Sequence, residues 1–137
     1  MLSKIFLRYM DEATNHGGPM YNCAEAIILA VDEEYELNLP EEVVKSVAGF
    51  GGGMGAGSTC GYLTGAISAL SLIFGPEEPP YGTMDLAGIC AVYVENFEKL
   101  GNSTDCVDLI AENPPCIDLG VKSLDLLQEV IEQNKTK

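Results

Sequence analysis

Five cysteines, Cys23, Cys60, Cys90, Cys106 and Cys116, carry the chemistry that this chain most visibly offers. The thiolate is both the nucleophile and the ligand of soft metals, so the surroundings of each sulfur decide its use. Cys23 follows Asn22, Cys60 follows Ser58 and Thr59, Cys106 follows Ser103, Thr104 and Asp105, and Cys116 follows Pro114 and Pro115. Each of these leads is a helix-start signal. Four of the five cysteines therefore fall at expected helix N-termini, where unpaired N–H groups and the positive end of the helix dipole favour an anion. Four such placements along one chain suggest one shared anionic site. Cys90 lies inside an apolar stripe and is expected in the core, as small hydrophobes are.

A glycine-rich loop, residues 49–57, runs up to Cys60. Gly51, Gly52, Gly53, Gly55 and Gly57, with Gly61 beyond it, lack a Cβ and so let backbone N–H groups turn toward an anion or let a cofactor approach closely. Cys60 is accordingly expected to have a lowered pKa, a sulfur open to the loop side, and the role of most reactive thiol or anchoring ligand. The competing reading is packing alone: four small apolar side chains between helices.

The elements that would position these residues all read as helices. Leu2, Ile5, Phe6 and Tyr9 repeat at i, i+3, i+4, i+7, and residues 14–19 end that helix. Asn22 and Glu25 form a capping-box pattern ahead of Ile27, Ile28, Val31 and Tyr35. Pro40, Glu41 and Glu42 open a third helix, with Val43, Val44, Val47 and Ala48 expected inward. The helix from Cys60 to about Phe74 carries Leu63, Ile67, Leu70 and Phe74, with Gly61 and Gly65 as a small-residue face. Leu86, Ile89, Cys90, Tyr93, Phe97 and Leu100 mark the next helix, Cys106 to Ala111 a short turn, and Asn113-Pro114-Pro115 a break. The last helix starts near Cys116, with Ile117, Val121, Leu124, Leu127 and Ile131 on one side. Strict alternation is absent. The expectation is an all-α single domain over residues 1–137, a bundle of about six helices with the glycine-rich loop before the central one.

Composition narrows the function. Seven Lys and Arg against 21 Asp and Glu leave a net charge of −14, with Arg8 the single arginine. Phosphate binding needs cationic side chains, so nucleic acid is excluded as a partner. The longest apolar stretch, Leu63 to Phe74, is too short to span a bilayer, which takes about 20 residues. No secretory signal opens the chain, and a cytoplasmic location with reduced thiols is expected. There is no C-x-x-C, no C-x-x-C-H for covalent haem, and no Gly-Lys-Ser/Thr that would make the loop a nucleotide-binding P-loop. His16, the single histidine, reads as a solvated loop residue, and the paired glutamates read as solvated surface. Tyr62 reads as an interhelical aromatic or a pocket residue.

Three segments together, Asn22 to Ala26, Gly49 to Gly55 and Cys60 to Ile67, resemble the redox-active family named for its C_GCAxxG_C_C cysteine pattern. The resemblance continues through Phe97 to Gly101, Cys106 to Ile110 and Cys116, nearly the whole chain. It carries the four signature cysteines onto Cys23, Cys60, Cys106 and Cys116 and leaves Cys90 outside. Where the family has the alanine of CGAxxG, this chain has Tyr62, so the packing beside Cys60 must differ. Members are similar to the iron–sulfur portion of split-Soret cytochromes, which implies a cluster here, without haem. Many are encoded near transporter genes, which implies a redox or transporter-associated protein partner.

Three functional readings follow. In the first, Cys23, Cys60, Cys106 and Cys116 hold an iron–sulfur cluster or another soft metal for electron transfer. In the second, Cys60 attacks a disulfide and Cys23 resolves it. In the third, the domain is a non-catalytic module that binds a partner or shuttles metal. A homodimer is also expected, on the apolar content and the Gly61/Gly65 face.

Overall fold

A computed structural model describes residues 1–112 and 116–135, and the described chain is all-helical. Its α-helices are α1 (Leu2–Asn15), α2 (Cys23–Tyr35), α3 (Glu41–Ser46), α4 (Gly61–Phe74), α5 (Met84–Gly101), α6 (Cys106–Glu112) and α7 (Cys116–Lys135). The expected short turn at Cys106 is thus a seventh helix. The expected break at Asn113-Pro114-Pro115 lies outside the described residues. Among the described residues the one sheet-like feature is an isolated antiparallel bridge between Thr59 and Asp105.

The ends of the helices follow local chemistry. Asn22 caps α2: its side chain accepts from the Glu25 N–H at 3.0 Å, and Glu25 accepts from the Asn22 N–H at 3.0 Å. Thr83 caps α5 by accepting from the Leu86 N–H. Asn102 ends α5 in the left-handed conformation. At α4 the sequence misleads. Ser58 and Thr59 do not cap it; Cys60 itself holds the N-cap position.

Helix α4 is central. It packs against α2, α5 and α7, while α1 joins α2 to α7. Apolar side chains from all of these meet in one core that includes Phe6, Ile27, Leu70, Tyr93, Leu124 and Ile131. Burying such side chains is worth roughly 1.5–3 kcal/mol each. Val47 is buried in the core with Val43 and Val44 packed against it, whereas Ala48, expected inward, is exposed. Cys90 packs against this core while remaining half-buried, so the expectation of full burial is corrected.

The Gly61/Gly65 face is used inside the protomer. A Cβ on Gly65 would lie 3.0 Å from the Ala24 Cα, so α2 and α4 run with their backbones close together. That contact removes the face on which the homodimer was expected. Among the described residues no helix is long and apolar enough to cross a membrane.

Candidate functional site

The packing that buries the core also gathers the starts of four helices. Gly61 sits against the first turn of α2, where a Cβ would fall 2.2 Å from Cys23 Sγ. One turn later Gly65 meets Ala24 and Ile27. Successive turns match in order, so α2 and α4 run parallel and begin at the same end. The start of α7 joins them. A Cβ on Gly120 would lie 2.8 Å from the ring and hydroxyl of Tyr62, placing the first turns of α7 beside the first turn of α4.

The α6 start is tied in by backbone. The Cys60 N–H donates to the Thr104 carbonyl at 2.8 Å, and the Cys106 N–H donates to the Ser58 carbonyl at 2.6 Å. These two bonds flank the Thr59–Asp105 bridge and clip the segment before α4 to the segment before α6. From the other side, a Cβ on Gly53 would fall 2.8 Å from the Cys106 Cβ.

The four sulfurs at these helix starts feel one another. Cys60 is buried, 3% exposed, and its thiol is pushed up to about 12. Loss of solvation is the main cause, and the neighbouring Cys23 and Cys116 add to it. Backbone N–H groups of Tyr62 and Leu63 pull the other way, as expected at a helix start, yet no conventional capping bond forms and burial wins. The Cys116 and Cys106 thiols are also raised, first by burial and then by Cys23; Cys106 adds to the effect on Cys116. Cys90 is raised by burial alone. The structure thus brings Cys23, Cys60, Cys106 and Cys116 together and leaves Cys90 out. It corrects the picture of Cys60 as an open, low-pKa thiol, because desolvation outweighs the helix-end field.

The loop glycines divide by their surroundings. Gly51 lies against the Asn22 side chain, Gly53 against Ser58 and Cys106, Gly57 against Val107, and Gly61 against Cys23. Gly52 and Gly55 face open space. Residues 52–55 all have positive φ, including Met54, so the loop makes a left-handed turn that glycine tolerates best. The immediate work of Gly51, Gly53, Gly57 and Gly61 is to let protein atoms approach one another. His16 is exposed at the end of α1, 3.3 Å from Asp11, and takes no part in the site.

Tyr62 is the residue whose role the sequence conceals. It is 5% exposed and packs edge-on against Phe6 with ring centroids 5.9 Å apart. Its ring and hydroxyl lie against Gly120 of α7, 2.8 Å from where a Cβ there would stand. The sequence signal for that contact was Gly120, a mid-helix glycine one turn after Cys116 that clears space for a ring.

Four thiols at one end of a bundle form a donor set suited to soft metals, iron–sulfur clusters or thiol redox chemistry. All five cysteines are free. Among the described residues, no three Cys, His, Asp or Glu side chains stand close enough to clasp a single metal ion.

Comparison with known proteins agrees with the cysteine pattern. A family model described as "Putative redox-active protein (C_GCAxxG_C_C)" matches residues 21–131. An uncharacterized protein of Archaeoglobus fulgidus is 26% identical over 132 aligned residues, covering 84% of this chain and 87% of that one. No solved structure matches.

Proposed function

The chain belongs to the redox-active C_GCAxxG_C_C family, and on that premise we propose that Cys23, Cys60, Cys106 and Cys116 hold an iron–sulfur cluster and that the protein transfers electrons. The observation that carries this reading is the meeting of four thiols at the starts of α2, α4, α6 and α7. Four cysteine thiolates are the usual ligand set of an iron–sulfur cluster.

When bound, such a cluster supplies a one-electron couple screened from solvent. The chain's own contributions are distinct. Cys60 offers a buried ligand on the central helix. Gly61 lets the Cys23 sulfur approach. The clip between Ser58–Cys60 and Thr104–Cys106 fixes two ligands relative to each other. The helix-start N–H groups of α2, α4 and α7 favour negative charge on the thiolates. A reducing cytoplasm would keep the thiols available for ligation.

Disulfide exchange led by Cys60 fits less well. Exchange needs an accessible thiolate, and Cys60 is buried with a raised pKa. Metal ligation tolerates that state because binding displaces the proton.

Anaerobic purification, or reconstitution with ferrous iron and sulfide, tests the proposal. The expected product is brown, with iron and acid-labile sulfide in similar amounts, and Cys60→Ser loses both. A protein that stays colourless and free of iron and sulfide after reconstitution overturns it. If that colourless protein also forms one reversible disulfide, the exchange reading replaces it.

A further inference from the structure

The end of the molecule that gathers the four thiols also carries exposed apolar side chains. The glycine-rich turn 53–57, closed by the Ser58 N–H donating to the Gly53 carbonyl at 3.0 Å, lies on the first turn of α6. A Cβ on Gly53 would fall 2.8 Å from the Cys106 Cβ, and one on Gly57 would fall 3.3 Å from the Val107 Cβ. Cys106, at this seam, is buried, while Met54, Val107 and Ile110 stand exposed, Val107 by 62%. Met54 has left-handed backbone, φ 61°, inside a turn otherwise made of glycine and Ala56. Glycine would hold that conformation at lower cost, and the exposed Met54 side chain gains little from the core in return.

Charge sorts the same surface. From Ser46 to Pro76 there is no Asp, Glu, Lys, Arg or His, in a chain whose net charge is −14. On α6, Val107, Ile110 and Ala111 make one exposed apolar side, and exposed Asp108 and Glu112 make another. An apolar centre beside a polar edge is the anatomy of a protein interface. The acidic edge and the net charge complement a partner whose own apolar contact is bordered by Lys and Arg.

Resting on the reading that the four cysteines form one electron-transfer centre, we propose that Met54, Val107 and Ile110 are the docking surface for a basic one-electron carrier protein. The acidic charge draws the partner in from a distance. The uncharged patch then lets it settle against the seam at Cys106 without stripping water from ions. The carrier is reduced by the one electron that the centre gives up. Electron-transfer encounters of this kind use small interfaces, under about 1,200 Å² in all, which a few apolar side chains can centre.

The test uses ferrous cytochrome c, a cationic and diamagnetic one-electron protein, as the probe. It is titrated at low salt into the full-length, metal-free, ¹⁵N-labelled chain under anaerobic conditions, and amide shifts are followed by NMR. The expected shifts are confined to residues 52–57 and 106–111. Val107→Ser/Ile110→Ser should weaken binding roughly fivefold or more, and Met54→Gly should weaken it without loss of stability. Circular dichroism checks the fold of each variant, and the exposed positions of all three side chains keep the variants folded. Cytochrome c with acetylated lysines should bind far more weakly, because its charge is gone. In the cluster-loaded protein, electron transfer to ferric cytochrome c should slow in Val107→Ser/Ile110→Ser by a similar factor, while transfer to ferricyanide is unchanged.

Shifts spread over the acidic surface, or an affinity untouched by both variants, overturn the proposal. So does a dimeric mass by light scattering that becomes monomeric in Val107→Ser/Ile110→Ser, since a second copy then covers the patch. The two readings fail separately. A chain that takes up no cluster yet gives the confined shifts keeps the docking surface and loses the centre. A chain that loads a cluster and gives no confined shifts keeps the centre and loses the docking surface.

Discussion

At the scale of single residues, Cys60 shows two effects of a helix start in opposition. The N–H groups of Tyr62 and Leu63 favour its thiolate, while burial disfavours it more strongly. The sequence displays the first effect, through the helix-start pattern around the cysteine. The second depends on which side chains close over the sulfur, and these come from other segments. The consequence is a pH dependence with a definite sign. In the unfolded chain a cysteine ionises near 9; in the folded, metal-free protein Cys60 keeps its proton to about 12. Between those values the folded state binds more protons than the unfolded state, so stability falls as pH rises. This contribution is fully present below about pH 9 and is lost as pH climbs toward 12. Thermal melts of the metal-free protein under anaerobic conditions, from pH 7 to 10.5, should show a falling Tm. Cys60→Ser should show a shallower fall; an equal slope would remove Cys60 as a source. Cys60 should also be alkylated more slowly than half-buried Cys90 in the native protein, reversing the ranking that the sequence alone suggests.

At the scale of elements, the contact between α2 and α4 makes the site possible. Gly61 and Gly65 let α4 lie almost against the α2 backbone, and Cys23 fills the space above Gly61. A methyl group at 61 would meet the Cys23 sulfur and the Phe50 carbonyl, at 2.2 and 3.0 Å from the new Cβ. Both belong to packed backbone or short side chains, so α2 or α4 must shift. Gly61→Ala should therefore destabilise by about 1–3 kcal/mol, the usual cost of overpacking, despite the better helix propensity of alanine. Urea unfolding measures the loss, and iron content after reconstitution should fall with it. A stabilised variant with full iron content would show that Cys23 does not occupy that space in solution. The same elements indicate what could be read in advance. The Asn22–Glu25 cap, most of the helical stripes and the cysteines at four helix starts are local patterns that appear in the structure, whereas the expected Ser58/Thr59 cap and the inward Ala48 do not. The clip between Thr59 and Asp105 was not legible, because two short backbone segments pair without any alternating pattern. Nor was the role of Gly61 and Gly65. A small-residue face states that something approaches closely, and only the three-dimensional packing identifies that partner as α2.

At the scale of the whole molecule, charge imbalance acts against the compact state. Seven Lys and Arg face 21 Asp and Glu. The ion pairs of the described residues include Arg8 with Glu33, the N-terminal amine with Glu34, and Lys99 with Glu95, all on the surface. Exposed pairs of this kind contribute at most about 1 kcal/mol each. The carboxylates greatly outnumber the available cations, so much of the acidic charge is left to repel itself over the folded surface. An unfolded chain spreads these charges apart, and like-charge repulsion therefore lowers folding stability. Added salt reduces both attractions and repulsions, with a screening length of about 30 Å at 0.01 M and about 10 Å at 0.1 M. The surface attractions are few and weak while the repulsions are many and long-ranged, so screening should give a net gain. Raising NaCl from about 10 to about 300 mM at pH 7 should increase the Tm of the metal-free protein by a few degrees, on the order of 1 kcal/mol for a domain of this size. Calorimetry at several salt concentrations measures the change. A Tm that falls with salt would mean that the short-range pairs at Glu33, Glu34 and Glu95 outweigh the repulsion. Cluster loading offers a second check on the same balance. If four thiolates at one end add to the negative charge, the loaded protein should gain more from salt than the metal-free protein, in which Cys60 stays protonated at pH 7.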